Sequence, residues 1–461
     1  MADNILLKGG MVIEGSGSFV SDVLIVDGRI AKISRLQPLA PESGVMVVDV
    51  RGMLVTEGLT DIHVHFREPG FSQKETIRTG SMAAASGGYT TVCAMPNLNP
   101  VPDSLQTLAV EQEIIDRDAV INVLPYAAIT MGRKGLELVD FAVLKGRCVA
   151  FSDDGSGVQS SETMLRAMQA AAAEGCIIAA HCEDNSLLRG GYIHDGSYCS
   201  VHGHKGICSE SEWGQIRRDL ELCETTGCHY HVCHISCSES VELIRQAKAR
   251  GVNVTCETAP HYLTLCEDDM QEDGRFKMNP PLRSRADRDA LVNGLADGTI
   301  DAVATDHAPH TAEEKSRGLK GSAMGISGLE TSFPILYTGL VKTGKISLGR
   351  LLEAMSASPR RIFGIGENCQ GVSGGSSKSV ADEYSRGAAG ECSRAVSGES
   401  SAAGIREGAR ADIAVIDLND KFKIDSSTFL SMGHSTPFDG MEVYGRVRMT
   451  LCGGKIVWKQ Q

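Results

Sequence analysis

The chain has 461 residues, and its 45 Lys plus Arg against 58 Asp plus Glu leave a formal net charge of −13. This acidic balance without a basic stripe argues against nucleic-acid binding. The contents of hydrophobic (42%) and charged (22%) residues are typical of a globular protein with a large core. We expect no membrane segment, because no uncharged apolar run reaches the ~18 residues that a span needs. An odd count of 15 cysteines and no signal-peptide pattern predict reduced thiols and a cytoplasmic location.

The two ends of the chain share a β-rich texture. Residues 4–50 alternate short apolar runs with glycine turns, which predicts a small antiparallel sheet. A similar pattern returns near the C-terminus. We therefore expect residues 1–56 and 405–461 to pair into one small, β-sandwich-like satellite domain.

The middle of the chain, residues 57–365, alternates β-branched apolar runs with stretches of helical patterning that end in glycine. Eight such strands over roughly 300 residues fit an α/β fold of the (β/α)₈ TIM-barrel type. A doubly wound open sheet is the alternative, but no GxGxxG follows a strand. The eight predicted strands are one that ends near His65, 89–97, 121–130, 148–154, 176–182, 229–236, 252–257 and 301–307.

Residues 366–404 break this alternation. Serine, glycine and alanine dominate, and large apolar side chains are scarce. Such a segment buries too little surface to offset the entropy of ordering, so we predict a flexible low-complexity insertion.

Metal-ligating residue types fall at the ends of the predicted barrel strands. Because the C-terminal strand ends of a barrel converge on one mouth, we expect these side chains to meet there. The period of two in His-Val-His places both imidazoles on one side of a strand. Nitrogen and oxygen donors of this kind suit zinc, and also manganese or cobalt. The residues are His63, His65, Asp153, Asp154, His181, His234 and Asp306.

His229 and His231 have the opposite strand parity to His234. If His234 points into the mouth, alternation along the strand directs these two toward the helical layer. We interpret both as structural.

Seven short motifs, taken together and in order, resemble the class I dihydroorotases of the amidohydrolase superfamily. The resemblance covers the chain to about residue 365 and resumes near residue 404. It implies a barrel with two zinc ions and a bridging hydroxide. It also implies reversible interconversion of N-carbamoyl-L-aspartate and (S)-dihydroorotate plus water, in de novo pyrimidine biosynthesis. The motifs are DIHVHFREPG, AMPN, SDDG, AHCEDN, HVCHIS, KMNPPLRS and ATDHAPHT.

The resemblance also implies a ligand set. His63 and His65 would bind the more buried metal together with Asp306, and His181 and His234 would bind the second. Asp154 would bridge the two ions. Asp153 is the alternative bridge, and its competing structural role is capping a turn or helix. Asp306 would serve as general base and then general acid.

Substrate recognition requires an anion clamp, since dihydroorotate carries a carboxylate. Arg67, two residues beyond His65, has a guanidinium fork suited to that group. The stretch from Thr311 to Ala323 is a candidate mobile lid. The full set of substrate-binding residues that the resemblance implies is His65, Arg67, Asn97, Asn279, His310, Met324 and Gly325.

Two alternative functions stay open at this point. One is a related hydantoinase or allantoinase, and the other is a non-catalytic barrel that serves as a scaffold, for example with aspartate transcarbamoylase. A homodimer is the default expectation for a soluble enzyme.

Overall fold

The computed structural model describes residues 4–14, 17–35, 37–40, 43–366 and 405–460. Apart from Gly366, the predicted insertion at 366–404 lies outside the described residues.

The strands within the described ranges are numbered in chain order. They are β1 (Asn4–Glu14), β2 (Gly17–Val26), β3 (Arg29–Ser34), β4 (Val45–Asp49), β5 (Leu54–Glu57), β6 (Leu59–Val64), β7 (Tyr89–Ala94), β8 (Asn122–Pro125), β9 (Ile177–Ala180), β10 (Ile193–His194), β11 (Gly206–Ile207), β12 (His229–Val232), β13 (Val254–Thr258), β14 (Ala302–Val303), β15 (Ile413–Lys423), β16 (Glu442–Cys452) and β17 (Lys455–Lys459).

The α-helices are α1 (Ile77–Ser86), α2 (Leu105–Asp118), α3 (Phe141–Leu144), α4 (Ser161–Glu174), α5 (Ser197–His202), α6 (Glu210–Thr226), α7 (Ser238–Ala249), α8 (Pro260–Thr264), α9 (Arg285–Asp297), α10 (Ala312–Lys315), α11 (Gly318–Gly321), α12 (Ser332–Leu336), α13 (Leu348–Leu352) and α14 (Ser358–Ile362). Short 3₁₀ turns lie at Met131–Arg133, Asn185–Leu187, Glu267–Asp269, Gly274–Phe276 and Ser426–Thr428, and π-helical turns lie at Tyr337–Val341 and Glu353–Ala357.

Both chain ends contribute to one sheet, in the order β17-β16-β15-β5-β1-β2-β3, with β4 also paired to β1. The pairing of the two ends is antiparallel and runs between β15 and β5. The expectation of a wholly antiparallel sheet is wrong, because β4 and β5 both run parallel to β1.

Parallel pairing runs round a ring in the middle of the chain. Strands β6, β7 and β8 form one parallel sheet, and β9, β12, β13 and β14 form another. Phe151 joins the two sheets through parallel bridges to Ala127 and Ile178, and a parallel bridge from Val64 to His307 joins their other edges. The α/β class predicted from the sequence is confirmed.

The predicted fourth strand, 148–154, is reduced to the bridges at Phe151. The chain turns away directly afterwards, since Ser156 and Gly157 both donate to the carbonyl of Asp153 and Gly155 has a φ of +73°. Because of this turn, Asp154 does not continue the strand, and its carboxylate lies next to His63 at the end of β6.

Local sequence accounts for the helices between the strands. In α4 the side chain of Ser160 caps the N-terminus by accepting from the backbone N–H of Thr163, and Gly175 ends the helix with a φ of +67°. The apolar positions at helical spacing, such as Met164, Ala167 and Ala171, form the buried face. Within the described ranges, no helix is long and apolar enough to cross a membrane.

Candidate metal centre and substrate site

Two histidines at the end of β6 begin the site. His63 and His65 are both buried. Nε2 of His63 lies 3.4 Å from Oδ1 of Asp154, and Nε2 of His65 lies 3.6 Å from its Oδ2. Nε2 of His65 is also 3.1 Å from Oδ1 of Asp306. The predicted first pair of histidines and both acidic residues therefore lie together.

The second pair of histidines faces the same carboxylate. Nδ1 of His181 and Nε2 of His234 are 2.9 Å apart. They lie 3.8 Å and 3.5 Å, respectively, from Oδ1 of Asp154. Within the described ranges, Asp154 is thus the one carboxylate that lies within 4 Å of all four histidines.

The donor set fits divalent cations. Two groups of possible ligands share Asp154, one with His63 and His65 and the other with His181 and His234. Nε2 of His63 and Oδ1 of Asp154 are buried and have no hydrogen-bond partner among the described residues. Buried polar atoms are normally satisfied, so facing, unsatisfied nitrogen and oxygen donors indicate room for an ion.

Electrostatics keep the two carboxyl groups charged. Burial alone would raise the pKa of Asp154, but the neighbouring His63 and His234 hold it well below its usual range. Burial likewise opposes ionisation of Asp306, yet the hydrogen bond from His65 and the charge of His63 lower its pKa. Both groups are therefore carboxylates near neutral pH.

Asp153, the alternative bridge, is directed elsewhere. Its Oδ1 accepts from the backbone N–H groups of Ile129 at 2.9 Å and Thr130 at 3.1 Å, and its Oδ2 accepts from the Thr130 hydroxyl. Both oxygens of Asp153 thus accept hydrogen bonds from the loop at Ile129–Thr130. This agrees with a structural role in capping a turn.

Sequence reasoning missed Glu257, at the end of β13. Its Oε1 lies 2.7 Å from Nδ1 of His63, and its Oε2 lies 3.3 Å from Nε2 of His231. Burial opposes its charge, but the hydrogen bonds from His231 and His63 lower its pKa to about 2. A carboxylate that holds the outer nitrogen of a ligand histidine fixes the ring's tautomer and orientation. The sequence does place Glu257 at the end of the predicted strand 252–257, the same kind of position as the predicted metal ligands.

The predicted orientation of His231 is wrong. Tyr230 contacts Asp219 of the outer helix α6, so its neighbour on the strand points inward. His231 bonds to Thr255 on β13 and packs against the ring of Phe363. The alternation of side chains along β12 cannot be continued to His234, because the strand ends at Val232 and His234 has a φ of +33°.

Two residues of the predicted anion clamp lie together. Nη2 of Arg67 is 3.4 Å from Nε2 of His310. The Nε2 of His310 is 2.8 Å from the carbonyl of Met324, and its Nδ1 is 3.3 Å from Nζ of Lys74. Burial lowers the pKa of Arg67 to about 10, and burial beside the charges of Arg67 and Lys74 lowers that of His310 to about 3. His310 is therefore neutral, with Nε2–H donated to Met324.

Asn97 and Asn279 approach the centre from two loops. Nδ2 of Asn97 donates to the carbonyl (2.8 Å) and to Oδ2 (3.0 Å) of Asp154. Nδ2 of Asn279 donates to Glu183, whose other oxygen lies 3.6 Å from Nε2 of His181. Both amide oxygens are buried without a partner among the described residues. Glu183 is a second site neighbour that sequence reasoning missed.

Backbone strain concentrates at this site. Arg67, His234 and Asp306 have φ values of +61°, +33° and +48°. Non-glycine residues adopt this region at a cost and persist there where the surroundings impose it. Gly325 has a φ of +130°, and a Cβ there would lie 2.6 Å from the carbonyl of Ala308, so glycine is required.

The fold and the site together define a class, that of hydrolases acting on cyclic amides. The L-hydantoinase (dihydropyrimidinase) from Arthrobacter aurescens matches with a TM-score of 0.81 and 26% identity, over 100% of this chain and 96% of that one. The dihydropyrimidinase from Brevibacillus agri NCHU1002 shares the fold, with a TM-score of 0.79 and 22% identity over 99% and 95% of the two chains.

Sequence comparison narrows the class. Residues 52–240 match the family described as Dihydro-orotase-like. Proteins named dihydroorotase from Bacillus cytotoxicus and Bacillus caldolyticus are 46% identical over 461 residues and 48% identical over 459 residues. Each alignment covers 99% of both chains. The chain belongs to the dihydroorotase family, which confirms the resemblance seen in the motifs.

Proposed function

We propose that this chain is a dihydroorotase, which interconverts N-carbamoyl-L-aspartate and (S)-dihydroorotate plus water in de novo pyrimidine biosynthesis. One observation carries the proposal. A single carboxylate, Asp154, lies 3.4–3.8 Å from four histidines, beside a clamp built around Arg67. The full-length relatives at 46% and 48% identity support it.

The ring of parallel segments is, in this proposal, a (β/α)₈ barrel spanning residues 57–365. The sheet built from both chain ends is its satellite domain, residues 1–56 plus 405–461, around the insertion at 366–404. The cross-pairing of β5 with β15 and the likeness to the hydantoinase fold support this division.

The proposed cofactor is a pair of zinc ions. His63, His65 and Asp306 would hold one ion, His181 and His234 would hold the other, and Asp154 would be shared by both. When bound, the ions lower the pKa of a water molecule and polarise the carbonyl that this water attacks.

Asp306 is the proposed acid/base residue. Its depressed pKa leaves it ionised, so its carboxylate accepts a proton from the attacking water during ring opening. It then delivers that proton to the departing ring nitrogen. In the closing direction the same group moves the proton the opposite way, and low pH favours closure because carbamoyl aspartate must take up a proton.

The substrate carboxylate is bound by Arg67, Asn97 and His310 in this proposal. The guanidinium of Arg67, whose Nη2 lies 3.4 Å from Nε2 of His310, supports this clamp. His65 is a further substrate-binding residue in this proposal. Asn279 contacts the ring, and the backbone of Met324 and Gly325 closes over it.

The second candidate is a hydantoinase-type enzyme, which the fold neighbours favour. Such rings lack the carboxylate, so a cationic clamp at Arg67 has no partner in them. A non-catalytic scaffold is the third reading, and the complete set of donors around Asp154 argues against it.

Turnover of dihydroorotate by the zinc-loaded chain, with hydantoin and allantoin alongside, tests the proposal. We expect selective opening of dihydroorotate, lost in Asp306→Asn but kept in Asp289→Asn, which changes an exposed carboxylate. Preference for an uncharged ring would establish the hydantoinase reading instead. No turnover with zinc bound would establish the scaffold. The homodimer, an association with aspartate transcarbamoylase and the cytoplasmic location stay predictions.

A further inference from the structure

The amino group of Lys315 is buried between the loop that contains Asn279 and the loop that contains Met324 and Gly325. The residue ends the single-turn helix α10, and only 6% of its surface is exposed. Its Nζ donates to three backbone carbonyls, those of Lys277 at 3.0 Å, Ala323 at 2.8 Å and Gly325 at 2.7 Å. An ammonium group has three N–H donors, so this arrangement uses all of them.

These three carbonyls belong to two loops that are separated in the sequence. Lys277 precedes Asn279 by two residues, and Ala323 and Gly325 flank Met324. The backbone N–H of Gly325 also donates to the carbonyl of Lys277, at 3.1 Å. The ammonium of Lys315 therefore sits where the Asn279 loop and the Met324–Gly325 loop meet.

We propose that Lys315 is a positioning residue, whose charged amino group joins the Asn279 loop to the Met324–Gly325 loop and so shapes the substrate site. The inference deepens the proposed function and rests on it for the identity of the substrate. The segment Thr311–Ala323, predicted from the sequence as a lid, contains the helices α10 and α11, and its Lys315 bonds to the carbonyl of Lys277 in the neighbouring loop.

The charge on Lys315 is sensitive to pH. Burial and the nearby charge of Lys277 lower its pKa to about 7, against the opposing effect of Asp273 and Glu314. A neutral amine has only two N–H donors for three carbonyls. The junction of the two loops therefore weakens as the pH rises through about 7.

Amide hydrogen exchange of the full-length protein tests the junction without any substrate. We expect the Gly325 amide to exchange about 10-fold faster or more in Lys315→Met, because a hydrogen bond from a charged group is lost. Amides of β12 are the internal reference for global unfolding. Lys320→Met is the matched control, since Lys320 is exposed in the same segment. Unchanged exchange at Gly325 in Lys315→Met overturns the proposal.

Two further measurements separate positioning from simple structural support. In the wild type, protection of Gly325, corrected for intrinsic exchange, should fall above pH about 7, whereas Lys315→Arg should keep its protection. In the zinc-loaded enzyme, Lys315→Met should raise KM for dihydroorotate more than it lowers kcat. Faster exchange with an unchanged KM overturns the positioning role. Failure of the wild type to open dihydroorotate refutes the proposed function, while the exchange result still decides the junction.

Discussion

Nδ1 of His63 lies 2.7 Å from Oε1 of Glu257, at the end of β13. Because a carboxylate can only accept, this contact places a proton on Nδ1 of His63, while Nε2 faces Asp154. The other carboxylate oxygen of Glu257, Oε2, lies 3.3 Å from Nε2 of His231. A proposed metal ligand is thus oriented by a carboxylate that is itself held by a second histidine.

Glu257→Gln should weaken zinc binding by about 10- to 100-fold, because the amide keeps a hydrogen-bond acceptor but loses the charge that orients and polarises His63. Competition with a chromogenic chelator measures the affinity. Glu272→Gln is the matched control, since Glu272 holds His204 at 2.7 Å in an equivalent pair outside the site. Equal affinities in both variants would contradict the role of Glu257.

Asp154→Asn and Asp153→Asn should have different effects, although the two residues are adjacent. Asp154→Asn should lose at least one zinc ion per chain, measured by elemental analysis, because its carboxylate faces all four histidines. Asp153→Asn should keep its zinc and lower the free energy of unfolding by about 1–3 kcal/mol, because a buried acceptor of two N–H groups is weakened. The reverse pattern would make Asp153 the bridge.

Arg67→Lys should lower kcat/KM for dihydroorotate by about 10- to 100-fold, because a single ammonium replaces a fork that binds a carboxylate at two points. Any residual opening of hydantoin should stay unchanged, since that ring has no carboxylate. Arg166→Lys, on the exposed side of α4, is the control. An equal loss on both rings would show that Arg67 supports the site rather than binding the carboxylate.

Glu111→Met should stabilise the protein, most strongly at alkaline pH. Glu111 lies on the buried face of α2, 1% exposed, and neither carboxyl oxygen has a partner among the described residues. Burial raises its pKa well above the usual value. The folded state therefore holds a proton that the unfolded state releases above about pH 4.5, so stability falls as the pH rises from there.

The expected gain for Glu111→Met is about 1–3 kcal/mol at pH 8, and it should shrink toward pH 4.5. Urea unfolding at both values measures it. Glu113→Met changes an exposed glutamate of the same helix and should show no such dependence on pH. A destabilised Glu111→Met at pH 8 would mean that the carboxylate is satisfied in solution.

Much of the site was predictable because strand ends can be read from the sequence. His63, His65, His181, His234 and Asp306 follow short apolar runs, and in a ring of parallel strands such positions converge. The motifs then favoured Asp154 over Asp153 as the bridge and added Asn97 and Asn279 through resemblance to a family. The dihydroorotase prediction is confirmed by full-length relatives.

Contacts between distant segments were not predictable in the same way. Glu257 meets His63 across 194 positions of sequence, and Lys315 meets the carbonyl of Lys277 across 38. Neither pairing leaves a periodic signal. The parity argument failed at His231 because it assumed that β12 continues to His234, whereas the strand ends two residues earlier.

The sequence by itself determined the alternation of strands and helices, the ligand types at the strand ends and the membership of a family. Those features depend on local periodicity and on residue identity. Only the tertiary structure decided that Asp154, not Asp153, faces the histidines, since a turn beginning at Asp153 directs one carboxylate to the Thr130 loop and the next into the centre. It also decided which buried charges support the site. Such choices depend on distances between segments that the chain brings together only when folded.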